Sequence, residues 1–159
     1  PTKGPHRLID AFLAMREEAT LCIAGHAPEF AGKPDYAKKL KAQVQNHPKV
    51  RWMGAIKSEE IPALMAEHDV LVLPSLWPEN SPLVVREATA AGLQVIASII
   101  GGAGELAPSA LLVRDDRELL EAMTRLAREG RSRRKPKVWP TPAEHAKRLL
   151  RGPYIEAQA

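Results

Sequence analysis

The chain has 159 residues, 45% of them hydrophobic and 26% charged, with few aromatics and a formal net charge of +4. That length suits one domain with a real core, burying about 70% of the unfolded surface. The composition is ordinary for a globular protein, no apolar run approaches the roughly 18 residues of a membrane span, and nothing at Pro1 reads as a signal peptide. The lone Cys22 cannot form an internal disulfide and reads as a small core residue in a reducing, cytoplasmic compartment.

In chain order, Lys3-Gly4 opens a helical stretch, His6–Glu18, with Leu8, Ile9, Phe12, Leu13 and Met15 at helical spacing. Leu21-Cys22-Ile23-Ala24-Gly25 reads as a buried strand, Asp35–Gln45 as a polar helix, and Val50-Arg51-Trp52-Met53-Gly54 as a second strand. Ser58 opens a helix carrying Glu60, Leu64 and Met65, with Ile61 where a capping box needs an acid. Val70-Leu71-Val72-Leu73 is continuously apolar, as a strand covered on both faces should be. A short helix from Pro82 follows, then strands Val95–Ala97 and Leu111–Val113, and a helix Arg117–Arg128. This alternation predicts an α/β fold, a Rossmann-like doubly wound parallel sheet with helices on both faces.

The expected domain covers residues 1–130, and residues 131–159 form a basic linker and C-terminal helical tail. The run RSRRKPK, with Arg131, Arg133, Arg134, Lys135 and Lys137, reads as a solvated linker or as a peripheral contact with anionic lipid head groups at the inner face of a membrane. No aromatic residue is interleaved with these charges and no nucleic-acid-binding motif accompanies them, so nucleic acid is not an expected partner.

Ligands on doubly wound sheets bind beyond the C-terminal ends of the strands. The loops to inspect are therefore Gly25-His26-Ala27, Gly54-Ala55-Ile56, Pro74-Ser75 through Glu79, and Ser98 through Gly101-Gly102 to Glu105. Glycine recurs on this rim, where backbone must turn tightly or approach a ligand. Around the Pro82 helix, Ser81 is a good N-cap, Pro82 suits the first helical position and Gly92 the position past the end. Glu87 shares a face with Leu83 and Ala91, a stripe expected to point at the core, where a charge is expensive unless paired. Glu79 precedes the cap. Two acids flanking a helix N-terminus, itself an anion site, suit a ligand with both hydroxyls and phosphates, such as a sugar nucleotide. The five histidines are scattered and offer no metal cluster.

Lys3-Gly4, Ile23-Ala24-Gly25, Val50 through Gly54, Asp69-Val70 through Pro74-Ser75, Glu79-x7-Glu87, Ala91-Gly92 and Gly101-Gly102 with Glu105 occur in this order over roughly Lys3 to Val113. That set resembles the C-terminal, donor-binding domain of retaining GT-B-type glycosyltransferases, glycosyltransferase family 4 or group 1. The resemblance implies one half of a GT-B fold that binds a nucleoside-diphosphate sugar for retaining transfer to a glycan, lipid or small-molecule acceptor, with no bound metal. It places Glu87 on the ribose hydroxyls and Glu79 on the transferred sugar, near the chemistry. It sets Lys3 against the diphosphate leaving group in place of a metal ion. Ser81, Leu83 and Val84 would border phosphates and sugar, Gly54-Ala55-Ile56 the base, and Gly101-Gly102 the ligand backbone-first.

Family members carry a strand and a Gly-Arg pair ahead of the lysine, with that strand mid-sheet between the ones beginning near Leu21 and Val70. Without it, a sheet formed by these residues should leave backbone groups unpaired at its centre. An acceptor-binding N-terminal domain is likewise expected outside this chain, which alone should not catalyse transfer. Gln94 stands where the family commonly has proline.

Simpler roles stay open at this level. Glu87 as a structural acid paired with an arginine, Glu79 as an exposed loop acid, Lys3 as a solvated lysine and Gly101-Gly102 as a plain turn all fit the same residues. Glu105 reads first as a local cap or pair, and Trp77 as either a cleft wall or a packing residue. His26, His68 and His145 read as surface or packing residues. The competing functions are a nucleotide-sugar epimerase or phosphorylase-like enzyme on a similar scaffold, and a non-catalytic module that binds nucleotide or a partner. No G-x-G-x-x-G follows a strand, and the P-loop signature is absent.

Overall fold

A computed structural model of the chain describes residues 2–25, 35–130, 134–141, 143, 144 and 147. Its strands are β1 (Leu21–Ala24), β2 (Val50–Gly54), β3 (Val70–Leu73), β4 (Gln94–Ser98) and β5 (Leu111–Val113). Its helices are α1 (Pro5–Ala14), α2 (Tyr36–Val44), α3 (Ile61–Ala66, after a 3-10 turn at Ser58–Glu60), α4 (Leu83–Ala90), α5 (Ala103–Leu106) and α6 (Asp116–Glu129). Every strand pairing is parallel. Together they give the expected α/β alternation with parallel strands.

β4 lies at the centre of the core. Ile96 joins Ile9, Phe12, Leu119, Met123 and Leu126 on one side, while Val95 and Ala97 join Val85, Ala88, Leu93 and Met65 on the other. A strand covered on both faces needs this unbroken apolar run, and each such side chain contributes roughly 1.5–3 kcal/mol on burial. On α6, Leu119, Met123 and Leu126 face inward at helical spacing, and the Asp115 carboxylate accepts the Glu118 N–H at 2.8 Å as N-cap.

The sheet is divided. Among the described residues β1 pairs only with β2, and β3, β4 and β5 form a separate three-stranded sheet. The edge strands β1 and β3 border one cavity of about 1590 Å³ that also meets Leu8, Phe12, Ile96 and Met123. Among the described residues, no strand joins those two edges, which is the unpaired centre anticipated above.

Three local expectations are corrected. The first helix ends at Ala14 rather than Glu18, because Met15 turns extended at ψ 148° and Glu17 pairs with Arg128 of α6. Ser81 does not cap α4: Pro82 occupies the cap in an extended conformation, and the helix begins at Leu83. The basic run is not wholly a solvated linker, since Arg134 and Lys137 pack on the far end of α4; Arg131 and Arg133 lie outside the described residues. Gly92 ends α4 as expected. At φ 78° its N–H reaches Thr89 O (3.2 Å) while Leu93 N–H reaches Ala88 O (2.9 Å), the paired bonds of a Schellman stop. Among the described residues no helix is long and apolar enough to cross a membrane.

Candidate functional site

Lys3 is placed by the glycine after it. Gly4 has φ 67°, and a Cβ there would lie 2.1 Å from the carbonyl oxygen of Pro74, so only glycine lets α1 start against the end of β3. The Leu76 N–H donates to Thr2 O at 2.7 Å, fastening the same junction. Lys3 Nζ thereby reaches the Glu79 carboxylate and forms an ion pair with it. Ser75, itself buried, donates its Oγ–H to that carboxylate at 3.2 Å. Glu79 is the more enclosed partner: its side chain is 19% exposed, against 65% for Lys3.

The loop carrying Glu79 is laced to the loop after β4. Glu79 and Gly101 form a parallel bridge, and the Gly102 N–H donates to Glu79 O at 2.7 Å. A Cβ on Gly102 would come within 2.0 Å of Asn80 O, and one on Gly101 within 2.5 Å of Glu79 O. The close approach these glycines permit is therefore loop to loop.

α4 carries the second acid. Its buried face is Val85 and Ala88, whereas Leu83 and Glu87 stand exposed and both line the cavity. The expectation that Glu87 points at the core is thus corrected. The helix turns the Leu83–Glu87 stripe toward the opening, where a carboxylate keeps its water and needs no partner. Nor does an arginine claim it: Arg86 lies 4.7 Å from the centroid of the Trp139 ring, and among the described residues no cation pairs with Glu87. The start of α4 leaves the Leu83 and Val84 amides outside the helix's own ladder.

Lys3, Glu79, Ser81, Leu83, Val84 and Glu87 all border the one cavity, and Ala55 and Ile56 beyond β2 border it too. Gly54, Gly101 and Gly102 lie outside its lining. Gly54 instead accepts the Gly25 N–H at 2.7 Å, closing the β1–β2 end. Glu105 is exposed on α5, and Trp77 is 67% exposed beside Leu76. His68 Nδ1 lies 2.7 Å from Leu64 O; His26 and His145 lie outside the described residues. No three His, Cys, Asp or Glu side chains among the described residues gather as a metal site.

Two residues gain roles that the sequence did not give them, Ser75, named there only as part of a loop, and Arg7, not named at all. Ser75 steadies Glu79, and Arg7, 8% exposed, pairs through Nε with Asp116 and donates from Nη1 to Pro74 O at 3.3 Å and Ser98 Oγ at 3.5 Å. Arg7 thus ties the starts of α1 and α6 to the ends of β3 and β4. Its signal was there: it sits four residues before the buried Ala11, a charge on a core-facing stripe.

A family model described as glycosyl transferases group 1 matches residues 1–129. The chain is 32% identical over 111 residues to a D-inositol 3-phosphate glycosyltransferase of Salinispora arenicola, covering 64% of this chain and 24% of that protein. It is 36% identical over 106 residues to a glycogen synthase of Mycobacterium tuberculosis, covering 65% and 24%. The chain thus spans about a quarter of the length of the curated relatives it matches. Among solved structures, HepE of Anabaena in complex with UDP and glucose superposes with TM-score 0.68 at 32% identity, over 79% of this chain and 35% of that one. A sucrose-phosphate synthase of Thermosynechococcus elongatus superposes with TM-score 0.63 at 28% identity, over 78% and 33%.

Proposed function

The chain belongs to the glycosyl transferases group 1 family, and on that premise we infer that its cavity rim binds the nucleoside diphosphate of a sugar donor. The observation that carries this reading is the grouping of Lys3, Glu79, Glu87 and the first amides of α4 around one opening. A lysine and a helix start suit phosphate, and two carboxylates suit hydroxyls. The Anabaena relative's complexes with UDP and with UDP-glucose support a donor of this class.

In this reading the ligand exchanges partners with the site. Lys3 leaves the Glu79 carboxylate for the diphosphate, stabilising the leaving group's charge in place of a metal ion, and Glu79 is freed to accept hydroxyls of the sugar. Glu87 accepts both ribose hydroxyls. The Leu83 and Val84 amides face the phosphates, Ser81 borders them, Ala55 and Ile56 flank the base, and Gly54, Gly101 and Gly102 shape the loops behind. The reaction is glycosyl transfer with retention at the anomeric carbon, to an acceptor held by a separate N-terminal domain. Residues 1–130 are the donor domain, and the work belongs in the cytoplasm, at or near the inner membrane face.

Titration calorimetry of the full chain with UDP and GDP tests the site. A charged hydrogen bond is worth about 1.5–3 kcal/mol, so Glu87→Ala should weaken nucleotide binding roughly ten- to over a hundred-fold. Unchanged affinity in that variant removes Glu87 from the ribose.

A further inference from the structure

We propose that Trp139 is a positioning residue for nucleotide binding: the segment 134–141 grips α4 from behind and fixes the direction in which Glu87 points. The proposal rests on the reading of Glu87 given above.

The grip is built from both backbone and side chains. Arg134 N–H donates to Gly92 O at 2.8 Å, and Lys137 N–H to Thr89 O at 2.9 Å. Lys137 Nζ reaches Leu106 O at 2.9 Å, and Arg134 Nη2 reaches Gln94 Oε1 at 3.1 Å. Gly92 admits the segment, since a Cβ there would lie 2.6 Å from Arg134 O. Trp139 then lies against two cations, with Arg86 at 4.7 Å and Lys137 at 4.0 Å from its ring centroid. Its Nε1–H donates to Thr89 Oγ1 at 3.1 Å, and the Thr89 hydroxyl in turn donates to Arg86 O at 3.0 Å.

An eight-residue helix does not hold itself in water and takes its orientation from what packs on it. Val85 and Ala88, with Val84 and Ala91 packed beside them, seat α4 on the core, but such small apolar side chains resist rotation about the helix axis poorly. Arg86 and Thr89 sit one turn apart on a single face. Trp139 engages both, and Glu87 follows Arg86 by about 100° around the axis. Fixing the first pair fixes the carboxylate. No residue of the segment lines the cavity, so it acts through the helix.

The test compares UDP with 2′,3′-dideoxyuridine diphosphate by calorimetry on the full chain, with a thermal melt of each variant. The native chain and Glu87→Ala set the scale: the first should prefer UDP, and the second should lose that preference. Trp139→Ala should lower UDP affinity roughly three- to ten-fold while leaving the dideoxy nucleotide unchanged, so the preference shrinks. Trp139→Phe keeps the ring under Arg86 and should recover most of it. Thr89→Val, which removes the hydroxyl link without emptying the site of the ring, should give an intermediate loss. A Trp139→Ala preference equal to native overturns the proposal. So does an equal loss for both nucleotides, which marks a structural role only. If the native chain itself ignores the missing hydroxyls, the ribose reading fails, and the positioning role fails with it.

Discussion

Gly4 shows how much one residue can decide. Its left-handed backbone and the absence of a Cβ let Lys3 reach Glu79, because any side chain would strike Pro74 O. Gly4→Ala should therefore destabilise the chain by about 1–3 kcal/mol, visible as a lowered melting temperature, and should weaken UDP binding as Lys3 is displaced. An unchanged melt would mean that the junction yields easily. At this scale Glu87 stood out in the sequence because it broke the apolar pattern of its helix and Glu79 because it stands just ahead of that helix, whereas the doublet Lys3-Gly4 was singled out by the family resemblance. Arg7 broke one too, on the buried stripe of α1, yet a helix full of apolar neighbours hid it. Glu87 shows the limit of periodicity. Spacing establishes that Leu83 and Glu87 share a face, but whether that face meets core or solvent depends on how the helix seats on β3 and β4.

Helices α1 and α2 meet through a titratable contact. His6 Nδ1 lies 2.6 Å from Tyr36 OH, with the rings edge to face. In the neutral imidazole an unprotonated Nδ1 accepts a hydrogen bond from the phenol O–H. Burial lowers the His6 pKa from its ordinary 6.5, against an opposing pull from Asp10 and Asp116, and burial raises that of Tyr36. The unfolded chain therefore binds the His6 proton more readily than the folded one. The contribution is fully present above pH 6.5 and is lost as pH falls through the lowered value. Denaturant melts at pH 5.5 and 7.5 should show a smaller loss of stability on acidification in His6→Gln than in the native chain. Equal losses would remove His6 as the cause. Element types were legible because short continuous apolar runs, as expected of strands covered on both faces, alternate with longer stretches at helical spacing. Element ends were less so: Pro82 took the cap from Ser81, and the basic run looked solvated because nothing local reveals that Trp139 carries Lys137 and Arg134 onto α4.

Across the whole molecule the dominant fact is the division between β1 and β3. A parallel doubly wound arrangement could be expected from the alternation of elements, and a gap at its centre only from the family resemblance; the depth of the cavity depended on how α1 and α6 pack around it. Strand edges facing an open slot keep half their amides unpaired. Hydrogen exchange should find the slot-facing amides of β1 and β3 exchanging roughly ten-fold or more faster than those of β4, which is paired on both sides. Uniform protection across all three strands would show that the edges close on each other. The same division separates the two ends of the proposed ligand. Lys3, Glu79 and α4 ride on the β3–β5 body, while Ala55 and Ile56 ride on β1–β2. Under the proposed reading the slot is therefore a caliper: its width would set the span between the jaw proposed for phosphate and sugar and the jaw proposed for the base, and tuning that span would need no change in any residue proposed to touch the nucleotide.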